Sequence, residues 1–146
     1  MCRKKKRIRE PEYPVDNIRS VSVSCGHMDF SCSYSFCLRK GENGWLLDAE
    51  FAPDTVQTRV EYEGCPVAEQ DVQELLDIVR EQRVTEKLRR YKKPKLKVFV
   101  LDETAYYTAI LSADGARLGA AIFIGTEAEA CFYRLAEKYS GTAPKP

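Results

Sequence analysis

This sequence lacks any long apolar run, and that absence excludes one class of protein at once. Its 146 residues contain no stretch approaching the ~20 apolar residues that cross a bilayer. The N-terminal residues are basic and no apolar segment follows them, so the sequence as given also lacks a secretory signal. We therefore expect no membrane span and a cytoplasmic location.

Histidine is almost absent, because His27 is the only one. The chain also lacks a C-x-x-C pair, a Gly-x-Ser-x-Gly sequence, a glycine-rich phosphate loop and a paired-histidine motif. A metal site would require His27 to meet Cys25, Cys32 and Cys37. Strand alternation instead places Cys25 and Cys32 in the core and Cys37 on the opposite face. These absences predict no catalytic residue, no cofactor and no metal, and they favour a protein that is not an enzyme over the alternative of an enzyme with a deep pocket lined by carboxylates or His27.

Cysteine is present, but its spacing matches no zinc motif. Most of the cysteines occupy periodic positions of predicted strands and helices, as buried free thiols do. We therefore expect inert thiols, which are typical of a reducing compartment. The six are Cys2, Cys25, Cys32, Cys37, Cys65 and Cys131.

Apolar residues alternate with polar ones from position 19 to position 62, and the alternation continues through the loops. A period of two is typical of β-strands with one buried face. The pattern predicts an antiparallel meander of four strands, with serines and carboxylates on its solvent face. Gly26-His27 matches a two-residue type II′ turn, since glycine stands first. The predicted cross-strand pairs are Cys25 with Met28, Leu38 with Trp45 and Phe51 with Val56.

Helical spacing replaces the alternation from about residue 69. Ala68 offers no capping side chain at this start, and Pro94 ends the helical pattern. Residues 96–100 are read as a short strand. The closing helix begins at Thr126, which is expected to form a capping box with Glu129. The inward stripe of the first helix is Val72, Leu75, Leu76 and Val79, continuing less regularly to Val84 and Leu88.

A second hairpin is predicted at Asp114-Gly115, a sequence typical of type I′ turns. The expected pairing sets Leu111 against Leu118. Both faces of these strands are apolar, so the second face either meets a partner or is covered by other parts of the chain. The residues of that face proposed as an interface are Tyr106, Ile110 and Phe123.

Together these elements predict one α+β domain over residues 17–140. Its mainly antiparallel sheet contains the four-stranded meander and the later hairpin, with one extra short strand left open, and two helices pack on one face. Residues 1–16 lack periodicity and are expected to form a flexible basic arm, and residues 141–146 a disordered tail.

Several packing and turn residues follow a recognisable order along the chain. They are Gly44-Trp45-Leu46-Leu47, then Val67 with Asp71-Val72 and Leu75-Leu76, then Val100-Leu101-Asp102, Ala113-Asp114-Gly115 and Phe132. In this order the chain resembles a group of small, uncharacterised α+β proteins of gut Firmicutes and related bacteria, over about residues 18–140. The resemblance implies a fold and no site. The chain departs from the group after the first helix, where residues 88–93 replace an aromatic Trp-x-Gly-Phe type segment.

Two basic segments are the clearest candidates for ligand contact. Residues 3–9 hold six basic residues, and residues 83–97 hold eight against the single acid Glu86. Cations around Tyr91 suit phosphate contact combined with aromatic stacking. The candidate contacts are Lys87, Arg89, Arg90, Tyr91, Lys92, Lys93, Lys95 and Lys97.

The leading hypothesis is a non-catalytic binding or protein-interaction domain of unassigned role. Such a domain self-associates as a homo-oligomer if its apolar second face stays uncovered. The alternative is a domain that binds nucleic acid or an anionic surface through segments 3–9 and 83–97. Against the alternative, the remaining chain is acidic overall and contains no recognisable nucleic-acid module.

Overall fold

The structure, a computed structural model, describes residues 18–26, 33–52, 59–92 and 105–141. Six strands and three helices lie in this part of the chain. The strands are β1 (Ile18–Gly26), β2 (Tyr34–Gly41), β3 (Gly44–Phe51), β4 (Val60–Val67), β5 (Ala105–Ser112) and β6 (Arg117–Ala120). The helices are α1 (Glu69–Glu81), α2 (Val84–Arg90) and α3 (Thr126–Ser140).

All six strands form one antiparallel sheet in the order β4-β3-β2-β1-β5-β6. The predicted α+β class and mainly antiparallel sheet are therefore confirmed. The meander corresponds to β1–β4, and the later hairpin, β5–β6, joins the sheet beside β1. Helix α1 packs on β3 and α3, α3 also packs on β4, and α2 packs on β5 and β6.

The cross-strand pairs predicted within the meander are wrong, but each is displaced by an even number of residues. The observed pairs are Cys25 with Tyr34, Leu38 with Leu47 and Phe51 with Val60, in place of Met28, Trp45 and Val56. Side chains alternate with a period of two, so an even displacement keeps each residue on its predicted face. The two faces were thus predictable although the turns were not. Residues 27–32 and 53–58 lie outside the described residues.

A β-bulge in β4 interrupts this alternation. The β3–β4 register shifts just after Leu47, where β4 contains an extra residue. Gly64 has a φ of +68°, which favours glycine, and its N–H donates to Asp48 Oδ1 at 2.8 Å. The bulge lets both Tyr62 and Cys65 point into the core, where strict alternation would turn one of them outward.

The register predicted for the late hairpin is wrong by one residue. Leu111 lies opposite Arg117, and Leu118 lies opposite Ile110. An odd displacement exchanges the faces, so Leu118 shares the core face with Ile110.

The cause is the turn that joins β5 to β6. It has three residues, 113–115, because the Gly115 N–H donates to Ser112 O at 3.0 Å and the Ser112 N–H donates to Ala116 O at 2.9 Å. Gly115 has a φ of +91°, the left-handed glycine that closes a three-residue hairpin loop. Asp114 Oδ1 accepts from the Ala116 N–H at 3.0 Å, which stabilises this turn against a two-residue alternative.

Helix α1 has the predicted start and the predicted buried stripe of Val72, Leu75, Leu76 and Val79. Its continuation to Val84 and Leu88 is not one helix, which corrects the prediction of two helices to three. Arg83 adopts a left-handed φ of 54°, so the chain turns there and α2 begins anew. Both Val84 and Leu88 are nevertheless buried.

Helix α3 begins at Thr126, but the predicted capping box is absent. The N-cap residue is Gly125, and no side chain caps the helix. The Glu129 carboxylate instead accepts the Tyr34 hydroxyl at 2.6 Å, so it points toward the sheet. A tertiary hydrogen bond has replaced the local one.

Aromatic rings fill the space between the sheet and α3. The Phe36 ring lies 5.1 Å from Tyr34, 5.7 Å from Phe51, 5.6 Å from Phe132 and 5.1 Å from Tyr133, measured between centroids. Stacked and edge-on rings at such distances add to the free energy of burial. The core therefore lies between the sheet and the helices.

The opposite face of the sheet carries small polar side chains, as predicted from the alternation. The described helices pack on the other face. The outward serines are Ser20, Ser22, Ser24 and Ser35.

Some predictions concern residues outside the described part of the chain: the arm of residues 1–16, the strand at 96–100, His27, and the tail beyond residue 141. Within the described residues, no helix combines the length and apolar character that a membrane span requires.

Candidate functional site

The thiols within the described residues are free cysteines with no reactive arrangement around them. Cys25, Cys65 and Cys131 are buried in the core. Burial, and after it the Glu74 carboxylate, raise the pKa of the Cys131 thiol to about 11. A thiol whose pKa is raised is a poor nucleophile at neutral pH. Across the described ranges, no three His, Cys, Asp or Glu side chains come close enough to hold a metal ion.

Cys37 lies on the outer face of the sheet, as predicted. It stands opposite Asp48 of the neighbouring strand. Burial, and after it the Asp48 carboxylate, raise the pKa of this thiol. Asp48 itself is held by Arg39, with Nε at 2.9 Å from Oδ2 and Nη2 at 3.1 Å from Oδ1. Asp48 is therefore engaged by Arg39 rather than free to deprotonate Cys37.

An open groove of about 400 Å³ lies between α1 and α3. Its charged walls are paired across the helices, since Arg134 contacts Glu74 at 3.2 Å and Lys138 contacts Asp71 at 2.8 Å. Lys138 and then the Tyr139 hydroxyl, which donates to Asp71 at 2.6 Å, lower the pKa of the Asp71 carboxyl. The charged side chains that line the groove are therefore engaged in ion pairs that join the two helices.

The basic segment proposed for nucleic acid lies only partly in the described chain. Lys87, Arg89 and Arg90 belong to α2, and Tyr91 and Lys92 follow it. Lys93, Lys95 and Lys97 lie outside the described residues.

Two contacts reduce what the described part of this segment offers a ligand. Arg90 pairs with Glu86 at 2.8 Å. The Tyr91 ring is half-buried against the core, so it does not offer a free stacking surface.

The apolar interface predicted from the late hairpin is only partly present. Ile110 is fully buried, at 0% exposure, because it lies opposite Val21 of β1 on the core face, and it cannot contact a partner. Tyr106 is half-buried and packs against Phe123, with ring centroids 4.8 Å apart. Phe123 keeps 37% of its surface exposed. The apolar contact surface thus shrinks to Tyr106 at the beginning of β5 and Phe123 after β6.

The two edge strands of the sheet differ in how well they are protected against pairing. Strand β4 carries the bulge at Gly64, the exposed acids Glu61 and Glu63, and Pro66, which has no N–H. Bulges, charges and proline are the devices by which natural sheets prevent further strands from adding to an edge. The β4 edge is therefore protected.

Strand β6 is protected only by its length of four residues and by the charge of Arg117. Ser112 and Ala116 form a hydrogen-bonded pair, so alternation makes Ile110 with Leu118 the next such pair. The N–H and C=O groups of Arg117 and Gly119 then point away from β5. Among the described residues no strand pairs with that side of β6.

Exposed aromatic side chains accompany this open edge. Tyr107 and Phe123 are the large hydrophobic residues exposed in the described chain, at 43% and 37%. The Tyr107 side chain lies over Gly119 and leaves no room for a Cβ there. Phe123 follows β6 by three residues. The sequence did not reveal this site, since it depends on strand order, although Ser112 and Asp114 beside Gly115 could have indicated the longer turn.

No family model, curated protein or solved structure matches the chain. The resemblance of residues 18–140 to the group from gut Firmicutes stays a prediction.

Proposed function

We propose that this chain is a non-catalytic protein-interaction domain that binds an extended segment of a partner along the β6 edge. The observation that carries the proposal is the open backbone of Arg117 and Gly119 next to exposed Tyr107 and Phe123. An added strand would complete these hydrogen bonds and cover apolar surface at the same time.

The reactive groups support a non-catalytic role. The buried thiols, the charged groove between α1 and α3, and the Arg39–Asp48 pair are each accounted for by packing or ion pairing. Free thiols at Cys25, Cys65 and Cys131 also fit the reducing cytoplasm that we propose as the location.

Selection from a displayed library of random twelve-residue peptides tests this function. The immobilised wild-type chain is expected to enrich peptides that bind with a Kd of about 1–100 μM, the range of short strand-adding peptides with few side-chain anchors. Enrichment should be lost on the Arg117→Pro variant, because proline removes the outward N–H. Arg117 is the first residue of an edge strand, where proline is tolerated.

Arg117→Gln is the matched control, since it removes the charge and keeps the N–H. Circular dichroism and thermal unfolding of both variants establish that each is folded. If the two variants and the wild-type chain enrich the same peptides equally, the β6 edge is not the binding surface and the proposal fails.

One observation favours the nucleic-acid alternative. Lys87 and Lys92 are exposed and make no ion pair within the described residues. This alternative predicts retention of mixed-sequence RNA at low salt, weakened by Lys87→Gln and Lys92→Gln together. Absence of retention at 50 mM salt or below would remove it.

A further inference from the structure

We propose that the partner segment is acidic: an extended peptide in which acidic residues alternate with apolar ones. This inference depends on the β6-edge function and adds the chemistry of the occupant. It follows from the charges around β6 and from the half-buried state of Leu118.

The charge around β6 is positive on both faces of the sheet. Arg117 is exposed on the outer face, opposite Leu111. On the core face α2 packs against β6, and this helix carries the exposed Lys87, which makes no ion pair within the described residues. The nearest acid of α2, Glu86, is engaged by Arg90 at 2.8 Å and by Arg83 at 3.6 Å. An acidic segment would therefore meet a net positive charge, supplied by Arg117 and Lys87.

The two faces of the incoming strand are expected to differ. Leu118 is half-buried on the core face, so an added strand would place apolar side chains beside it. The side chains between them would point to the outer face, where Arg117 stands. This geometry favours an alternation of apolar and acidic residues, because successive side chains of a strand point to opposite faces.

A second copy of the chain fits β6 less well. Its acidic edge, β4, is interrupted by the bulge at Gly64 and by Pro66, so it cannot supply a continuous ladder. Pairing β6 with β6 of another copy would bring two Arg117 residues and two basic α2 helices together, and like charges would repel. The occupant is therefore an acidic segment of a different protein.

Three defined peptide libraries test the charge assignment. Each peptide has ten residues, with a random apolar residue alternating with Glu in the first library and with Lys in the second. The third matches the first, but proline replaces two central apolar residues. Retention on the immobilised wild-type chain is measured at 50 and 300 mM salt.

The Glu library should be retained at least about tenfold better than the other two at 50 mM salt, and this advantage should shrink at 300 mM. Arg117→Gln should reduce retention several-fold, and Arg117→Pro should abolish it.

The outcomes separate the two proposals. Equal or better retention of the Lys library, lost on Arg117→Pro, overturns the acidic assignment and leaves the β6 function intact. A third outcome is that the Glu library is retained equally well by the Arg117→Pro variant, and that the proline-containing peptides are retained as well as the Glu library. This result would show charge attraction without strand addition, and it would overturn both proposals. If no library is retained, the acidic assignment fails as well. It also fails if added RNA displaces the Glu library and Arg117→Pro has no effect on retention. If light scattering shows that the wild-type chain is a dimer and that Arg117→Pro is a monomer, a second copy is the occupant, and the acidic assignment is overturned.

Discussion

The side chain of Tyr107 lies directly over Gly119 of the neighbouring strand, and it occupies the position that a Cβ at Gly119 would take. The two residues are diagonal neighbours on the outer face, because Gly119 stands opposite Ala109. An aromatic ring covering a glycine in an edge strand compensates for the missing side chain. The pair also contributes to the open β6 edge, since Tyr107 is one of its exposed rings.

This contact predicts coupling between the two positions. Gly119→Ala alone should be neutral or destabilising, because the new methyl group displaces the ring. In a Tyr107→Ala background the same change should stabilise by about 0.5–1 kcal/mol, as alanine replaces a flexible glycine in a strand. Urea unfolding of the four chains should give a coupling free energy of about 1 kcal/mol. Strict additivity would show that the ring does not lie over Gly119 in solution.

The Asp48 side chain should contribute to the stability of the sheet, because its carboxylate connects three strands. It accepts from Arg39 of β2 at 2.9 and 3.1 Å and from the Gly64 N–H of β4 at 2.8 Å. Asp48→Ala should lower the free energy of unfolding by about 1–3 kcal/mol through the loss of charge-assisted hydrogen bonds. Glu50→Gln is the control, because the contact between Glu50 and Arg59 on the same face is 3.6 Å long. Equal losses for both variants would contradict this role of Asp48.

The Cys131 thiol should make the protein less stable at alkaline pH. Folding raises the pKa of this thiol from 9.0 to about 11, so the unfolded chain loses its proton first as pH rises. The contribution of this group is complete below pH 9 and is lost between pH 9 and 11, by about 2–3 kcal/mol. Cys131→Ala should have a flatter stability profile over that interval, whatever its constant cavity cost. If the free energy of unfolding depends on pH in the same way for the wild-type chain and for Cys131→Ala, the Cys131 thiol does not cause this loss of stability.

Replacing Arg83 by glycine should stabilise the protein. Its left-handed φ of 54° is strained for a side chain with a Cβ, so Arg83→Gly should raise the free energy of unfolding by up to about 1 kcal/mol. The lost contact with Glu86 is 3.6 Å long and exposed, so its removal costs little. Gln82→Gly should destabilise instead, because Gln82 has an ordinary φ of −84° and donates to Glu127 at 2.8 Å. Destabilisation by Arg83→Gly in thermal unfolding would refute the prediction.

The sequence predicted the faces of the sheet better than its pairings. Alternation decides which side chains are buried, and it placed Val21, Phe36 and Leu47 correctly in the core. It does not decide how far a loop extends, so Cys25 pairs with Tyr34 rather than Met28. Tertiary contacts are also invisible to local patterns, as with the Glu129 carboxylate that binds Tyr34 instead of capping its own helix.

The candidate site was missed for the same reason. An edge strand is a property of strand order, and no local pattern shows that β6 rather than β1 ends the sheet. The one-residue register error around Gly115 also paired Leu118 with Leu111 instead of Ile110, and the pattern left open whether the face that carries Ile110 was covered. The basic character of residues 83–97 was, by contrast, evident from composition, and Phe123 was among the residues proposed as an interface if its face stayed uncovered.

Backbone amide exchange measured residue by residue tests the open β6 edge most directly. In the free chain the amides of Arg117 and Gly119 should exchange much faster than those of Leu118 and Ala120, which donate to β5. Saturation with the alternating apolar–Glu peptides should slow Arg117 and Gly119 at least about tenfold and leave the β4 edge unchanged. Four amides that are equally protected in the free chain, or a peptide that protects neither Arg117 nor Gly119, would contradict the proposed binding edge.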